Sequence, residues 1–340
     1  MRHLQQRMEE TAQRYSQEGY FPSAVMTVFR QDGVLFQSTL GDARNDTLFD
    51  CASLTKIATA TQVLLAIDEG HMTLDSVLSG LLPPVRDDAF LRRRLERVTL
   101  FQLLTHSAGL PAWYPFYTGK EGFWPTLRAA LAPPPEEGVV YSDIGFILLG
   151  KVLEELHHKP LEQCLQDNLV APYQLGNMTY LPDKSLDIMP SSYGNPIEEN
   201  MVRDMGLSFD GWRPHTPITG QTNDGNAHYA FRDVSGHAGL FSDGRSLANL
   251  CRLYMNTVSP LMMSSMQEQA PGRGLGWQVG DMYPKGCGHT GFTGTSLYVS
   301  PNLNIGCVLL TNRLFYPTGE AKQTAPFRRD IHQLAASFLG

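Results

Sequence analysis

The chain has 340 residues, 42% of them hydrophobic and 18% charged, with a formal net charge of −7. That length supports a core that folds without covalent staples, and the acidic balance leaves no basic footprint for nucleic acid or an anionic membrane. No segment approaches the roughly 18 consecutive apolar residues of a membrane helix.

In chain order, residues 1–25 are charged and helical in pattern, and they lack the run of about 7–15 apolar residues that marks a signal peptide. Residues 22–41 form two β-rich runs around Asp32-Gly33, which predicts a hairpin. Helices follow at 54–69, 98–106, 143–157 and 245–256, where apolar residues recur at i, i+3 or i+4. Between them lie a break at 131–138 and a long Pro/Gly-rich stretch at 182–227, the kind of loop that in a compact domain is functional or mobile. A strand is predicted at 275–281. Two more flank the turn Pro301-Asn302-Leu303-Asn304 within 287–312, and residues 321–340 read as an amphipathic closing helix.

The simplest assembly is an α+β fold. The two terminal β regions share one antiparallel sheet flanked by the terminal helices, and a mostly helical lobe is inserted between them. Residues 1–50 and 265–340 then form the sheet domain and residues 51–264 the lobe. A cleft falls at their junction, where small-molecule sites tend to sit. The five cysteines (Cys51, Cys164, Cys251, Cys287 and Cys307) are odd in number and lack metal-ligand spacing. They read as reduced, buried thiols and, with no signal peptide in view, predict a cytoplasmic protein. Neither a metal nor a cofactor is expected, and the sequence is silent on oligomeric state.

The anomaly is "FDCASLTKIATATQVLLAIDEG", 49–70, in which Ser53 and Lys56 open an otherwise apolar helix. Three positions apart, their side chains share one helix face and can touch. A cap would account for Ser53 alone. A lysine desolvated there can be lowered in pKa and take the serine proton, with the helix N-terminus offering N–H groups where negative charge develops. Alone, S-x-x-K is weak, since about one match is expected by chance in a chain this long. Two further stretches add to it. "YSDIGFILLG" places Tyr141 and Asp143 at a loop-to-helix corner, and "HTGFTG" begins a strand with His289, Thr290 and Gly291, where glycine permits close approach. His106 and His237 read as structural hydrogen-bonders. The aromatic run 112–124 serves either the cleft mouth or lobe packing, 91–98 is a solvated helix face, and no physical role attaches to Asp224 or Asn226.

In this order, S-x-x-K, a Y-x-N-like element and a K-T-G-like element resemble the serine β-lactamase and penicillin-binding protein superfamily. The stretches "LLTHSAGL", "YSDIGFILLG", "SGHAGLFS" and "HTGFTGTS" resemble its class C β-lactamase, D-alanyl carboxypeptidase and family VIII esterase branch. The likeness implies Ser53 as the acylated nucleophile, Lys56 and Tyr141 as the proton-handling pair, and the backbone N–H groups of Ser53 and Phe292 as the oxyanion hole. Asp143, His289, Thr290 and Gly291 would bind substrate. Two positions depart from the common pattern. Asp143 replaces an asparagine, so an ionised carboxylate cannot donate to a substrate carbonyl; it also tends to keep Lys56 protonated, which favours Tyr141 as the base. His289 replaces a lysine and would hold a substrate carboxylate less firmly near neutrality. The implied activity is a serine hydrolase acting through an acyl-serine on a small ester, amide or D-amino acid-containing peptide. The alternatives are acyl transfer from the same intermediate and a penicillin-binding sensor or scaffold without turnover.

Overall fold

The computed structural model describes residues 1–316 and 321–338. Its strands are β1 (Ala24–Arg30), β2 (Gly33–Leu40), β3 (Phe49–Asp50), β4 (Met178–Thr179), β5 (Phe241–Ser242), β6 (Gln278–Val279), β7 (Cys287–Thr290), β8 (Ser296–Ser300) and β9 (Ile305–Thr311). Six form an antiparallel sheet in the order β2-β1-β9-β8-β7-β6, and β3-β5-β4 make a small second sheet. The hairpin at Asp32-Gly33 closes with Arg30 opposite Gly33, and β1 pairs on its other side with β9, from Ala24↔Thr311 to Phe29↔Gly306. The two ends of the chain therefore share one sheet.

That sheet is covered on both faces, which is why β9 is buried throughout and reads as a continuous apolar run. Met26, Val28, Cys307 and Leu309 point to the outer face; Val25, Val308 and Leu310 point inward, as the period of two requires. The outer face is closed by helices α1 (Arg2–Gln17) and, at the far end of the chain, Ala325–Ala336. α1 buries Leu4, Met8, Ala12 and Tyr15 at i, i+4, i+8 and i+11. The closing helix buries Phe327, Ile331 and Ala335, with the Phe327 ring 5.3 Å from Tyr15 and 4.6 Å from Phe21.

Inward lie α2 (Thr55–Asp68), α3 (Asp143–His157) and α4 (Gly244–Asn256), after which the closing helix is α5. α2 is buried from Thr55 to Leu64, so it is the central post of the larger core rather than an amphipathic surface helix. α4 packs on β1, β8 and β9 although its place in sequence is with the inserted segment. One contiguous core runs from the inner sheet face through α2 to α3.

The predicted helix at 98–106 shortens to Leu100–Leu104, fixed by a capping box between Thr99 and Gln102. The predicted strand at 275–281 contracts to β6, because Gly276 adopts φ +85° and the chain turns there, with the Gly274 N–H on the Trp277 carbonyl. Residues 339–340 of the predicted closing helix lie outside the described residues. Among the described residues no helix is long and apolar enough to cross a membrane, and all five cysteines are unpaired and buried.

Candidate active site

Ser53 sits in a single 3-10 turn, Ala52–Leu54, that leads into α2. The preceding residue, Ala52, takes φ +46°, a conformation that costs a residue with a Cβ and persists only where the surroundings over-determine it. Here they do. The Ala52 N–H donates to Asp50 Oδ1 at 2.8 Å, while the carbonyls of Asp50 and Cys51 accept from Thr293 Oγ1 (2.8 Å) and Thr295 Oγ1 (3.0 Å). The other oxygen of Asp50 accepts the Asn223 N–H at 2.6 Å, so this one buried carboxylate ties the nucleophile's turn to the far wall of the cleft. Burial raises its pKa to about 6 against the pull of those two bonds.

One turn on, Lys56 is fully buried and its Nζ lies 3.0 Å from Ser53 Oγ, 2.8 Å from Asp143 Oδ1 and 3.1 Å from the His237 carbonyl. Two of these partners only accept. Either an ammonium donates to all three, or a neutral amine donates to two and accepts the serine proton. Burial alone would lower the lysine's pKa, as the sequence reading allows. The charges of Asp143 and Tyr141 outweigh that, and the net displacement is upward. The balance favours the ammonium, as the sequence reading expected of a carboxylate at Asp143, over the neutral lysine that burial alone would allow.

Tyr141 lies beside it, the ammonium 4.9 Å from its ring centroid. The phenolic oxygen is shielded from solvent and makes no hydrogen bond of ordinary geometry among the described residues. As a phenolate it can take a proton from Ser53, with the field of the neighbouring ammonium offsetting its charge. The Arg273 guanidinium, 5.1 Å from the same ring centroid, adds to that field. Asp143 is the first residue of α3, whose cap is Ser142. One carboxylate oxygen pairs with Lys56, and the residue also lines the cavity.

The run that opens at His289 is placed differently from the expectation. His289 is fully buried behind the cavity wall, with Nδ1 2.9 Å from the Thr290 carbonyl, its ring 5.9 Å from that of Tyr141, and Nε2 unpartnered. Burial, then Lys56 and Arg273, hold its pKa well below the usual value, so the imidazole is neutral. It cannot serve as the cation for a substrate carboxylate, and neither it nor Thr290 or Gly291 lines the cavity. Phe292 does, 47% exposed. A Cβ on Gly291 would lie 2.7 Å from the Cys51 carbonyl oxygen and 2.1 Å from Thr295 Oγ1, so only glycine lets the strand end press against the nucleophile's turn. Among the described residues the N–H groups of Ser53 and Phe292 find no intramolecular acceptor. They are the pair an oxyanion hole needs.

These groups open into a cavity of about 610 Å³. Its far wall comes from the long irregular stretch and its one regular piece, the helix Pro196–Asp204. Glu198 and Asp224 face the cavity, as does Asp143, and among the described residues that line it there is no lysine or arginine. Glu198 accepts from the Tyr117 hydroxyl and the Gly225 N–H, each at 2.8 Å. Burial, reinforced by the charge of Asp224, raises its pKa to about 8. Asp224 is driven the other way: burial pushes it up, but His237 and then Lys56 outweigh burial and hold it below the usual carboxylate range. The sequence reading left Asp224 without a role and did not single out Glu198. The only signal for either was membership of a long polar loop.

His237 bridges Ser235 Oγ (2.8 Å) and Asp224 Oδ1 (2.9 Å), and the His106 Nδ1 accepts the Ser142 N–H at 3.0 Å, so both act on the frame of the site. Asn226 hydrogen-bonds the Phe116 N–H and the Tyr114 carbonyl and so pins the aromatic run. Both readings of that run hold: Trp113 lines the cavity while Phe116 and Tyr117 are buried in packing. Asp143, Asp224 and His237 bring ligand atoms within 4.8 Å of one another, but the Lys56 ammonium already supplies the positive charge that a metal would bring there.

Residues 2–333 match the family described as Beta-lactamase. The chain is 27% identical to the N-acetylmuramyl-L-alanine amidase of Bacillus subtilis (strain 168), over 87% of this chain and 78% of that one. Among solved structures it resembles the Beta-Lactamase/D-Alanine Carboxypeptidase from Pseudomonas syringae, with a TM-score of 0.73 at 17% identity over 99% of both chains. It also resembles EstCE1, described as a hydrolase with promiscuous acyltransferase activity, with a TM-score of 0.69 at 19% identity over 97% of this chain and 98% of that one.

Proposed function

This chain belongs to the Beta-lactamase family, and on that premise we propose that it is a serine hydrolase that cleaves small esters or amides through an acyl-Ser53 intermediate. The observation that carries the reading is the 3.0 Å contact of Lys56 Nζ with Ser53 Oγ beside two backbone N–H groups without an internal acceptor. In the forward step Ser53 Oγ attacks the carbonyl carbon and its proton passes to Tyr141 acting as a phenolate, which the Lys56 ammonium stabilises beforehand and which becomes a neutral phenol on taking the proton. The carbonyl oxygen takes its charge between the N–H groups of Ser53 and Phe292, donors that typically supply about 3–4 kcal/mol each to the transition state. The leaving alcohol or amine takes the proton back from Tyr141, and water repeats the sequence to free the acid and Ser53.

The substrate class follows from the walls. Among the described residues the cavity offers Asp143, Asp224 and Glu198 and no lining lysine or arginine, while His289 is neutral and buried. A substrate carboxylate finds no counter-charge there, whereas a neutral or amine-bearing acyl group meets complementary charge. Asp143 stands where the family's common pattern has an asparagine, so the side-chain amide that would donate to a β-lactam's acylamino carbonyl is missing. Five unpaired cysteines fit a reducing compartment, and cytoplasmic placement is part of this reading.

The test is brief exposure to a fluorophosphonate, a penicillin and a nitrophenyl ester, read by intact mass, with Ser53→Ala alongside. The expected result is one phosphonate adduct absent from Ser53→Ala, steady ester turnover and little or no penicilloyl adduct. A burst without turnover would replace hydrolysis with sensing, faster turnover with an added amine or thiol acceptor would indicate acyl transfer, and no adduct at all would overturn the reading.

A further inference from the structure

The closing helix α5 reaches the active site through one side chain. Arg328 is 8% exposed, and its Nη2 donates to the Gly291 carbonyl at 2.7 Å and to the Thr295 carbonyl at 2.9 Å. Among the described residues its hydrogen bonds go to backbone carbonyls and none to a carboxylate, and its Nε is unpartnered. A buried guanidinium without a counter-ion is costly, and packing alone would be met more cheaply by an apolar side chain. Its position says what it does instead. The Gly291 carbonyl and the Phe292 N–H are the two ends of one peptide group, and among the described residues no peptide bond is cis. In a trans peptide these two groups point in opposite directions. Holding the carbonyl toward α5 therefore turns the N–H toward Ser53. The Gly294 N–H also bonds the Gly291 carbonyl, at 3.1 Å, and helps to close the turn, but Arg328 is the donor from outside the loop.

We propose that Arg328 is a positioning residue for the oxyanion hole, fixing the Gly291–Phe292 peptide so that the Phe292 N–H faces the reacting carbonyl and adding a buried positive charge behind it. This rests on Ser53 being the nucleophile. A second arginine supplies the comparison: Arg313 Nε holds the Phe292 carbonyl at 2.6 Å, which belongs to the next peptide and does not orient the Phe292 N–H.

The experiment compares Arg328→Met, Arg328→Lys and Arg313→Gln with the wild-type chain, each with its melting temperature recorded. For Arg328→Met the expected result is a fall in kcat of about 10- to 100-fold with KM nearly unchanged, because the donor is lost chiefly to the transition state. Phosphonylation of Ser53 should slow in parallel, and added ethylguanidine should restore part of the rate. Arg328→Lys should recover part of the loss, and Arg313→Gln should lose melting temperature to a similar extent with a smaller fall in kcat. The orientation is also read without turnover, as cross-relaxation between the amide protons of Phe292 and Ser53, present in the wild-type chain and weakened in Arg328→Met. Equal falls in kcat for the two arginines, scaling with melting temperature, would overturn the proposal, as would unchanged cross-relaxation in Arg328→Met. A wild-type chain inert to phosphonate and ester would overturn the hydrolase reading instead, and the cross-relaxation would still decide the role of Arg328.

Discussion

Along the Ser53 wall of the cleft, the polar groups are fastened to the fold. The carbonyls of Asp50, Cys51, Gly291 and Phe292 each accept from a buried or half-buried side chain, and Lys56 contacts three oxygens. Across the cavity the wall is an irregular stretch in which burial and the charge of Asp224 raise Glu198 while His237 and Lys56 lower Asp224, and aromatic rings of Tyr117, Phe209, Trp212 and Tyr229 pack at steep angles behind them. One wall holds a charge distribution ready for a transition state. The other presents charges that a bound group can meet. The difference places rate in the first wall and choice of substrate in the second, and it can be attacked from either side.

The largest effect should come from Lys56→Met. It removes the cation beside both Ser53 and Tyr141, and kcat for a nitrophenyl ester is expected to drop by roughly 10³-fold, measured alongside a melting curve. Retention of more than a tenth of the rate would break the assignment of rate to this wall. Gly291→Ala is next. Its new methyl meets the Cys51 carbonyl and Thr295, so the loop must move, with a loss of about 1–3 kcal/mol in stability and about 10- to 100-fold in kcat. Denaturant unfolding and steady-state kinetics check the two parts.

Glu198→Gln should leave kcat for a neutral ester within a few-fold and alter only the selection of charge. In the wild-type chain Glu198 ionises as pH rises through about 8, so KM for an amine-bearing ester should fall by up to about tenfold across that range, relative to its neutral isostere. The variant should show a flat ratio. An unchanged ratio in the wild-type chain would remove the second wall from substrate selection.

The smallest effect concerns stability. His332, beside Ser296 and the Met282 carbonyl on the far side of the sheet, is lowered to about 3, mainly by burial. Unfolded chains bind a proton there below pH 6.5 and the folded chain does not, so its contribution is present above 6.5 and lost as pH falls toward 3. His332→Gln should make the acid decline of unfolding free energy shallower by up to about 1.4 kcal/mol per pH unit in that window. Parallel curves would show that this histidine is not buried as a neutral ring.

Ser53 and Lys56 were legible in the sequence because a serine and a lysine three apart open an otherwise apolar helix, whereas the roles of Tyr141 and Phe292 came from the family resemblance, and helix periodicity gave the bounds of α2 and α3 nearly to the residue. The two-residue strands β3, β4 and β5 were not, since a pair of residues carries no period. Nor was the covering of the inner sheet face by α4, because periodicity shows that a helix has an apolar face and not what it meets. Glu198, Asp224 and Arg328 act through tertiary placement: an acid in an aperiodic loop and a basic residue on an amphipathic helix look like solvated charges until the fold brings them to the cleft. His289 misled for a related reason. Its type suggested a cation, and only its burial beside Lys56 and Arg273 makes it neutral.

The pairing of β1 with β9 has a consequence for how the molecule is made. The β1–β2 hairpin closes within a few residues, but its other edge, AVMTVFR, has no partner until the chain has been extended to Thr311. Through most of synthesis an apolar, β-prone edge stands open, the kind of segment that recruits other chains, with Arg30 at its end as the one charged interruption. So much non-local pairing also slows folding. The same closure that completes the sheet brings α5 against it, so the late step that ends the aggregation hazard is also the step that delivers Arg328 to the cleft.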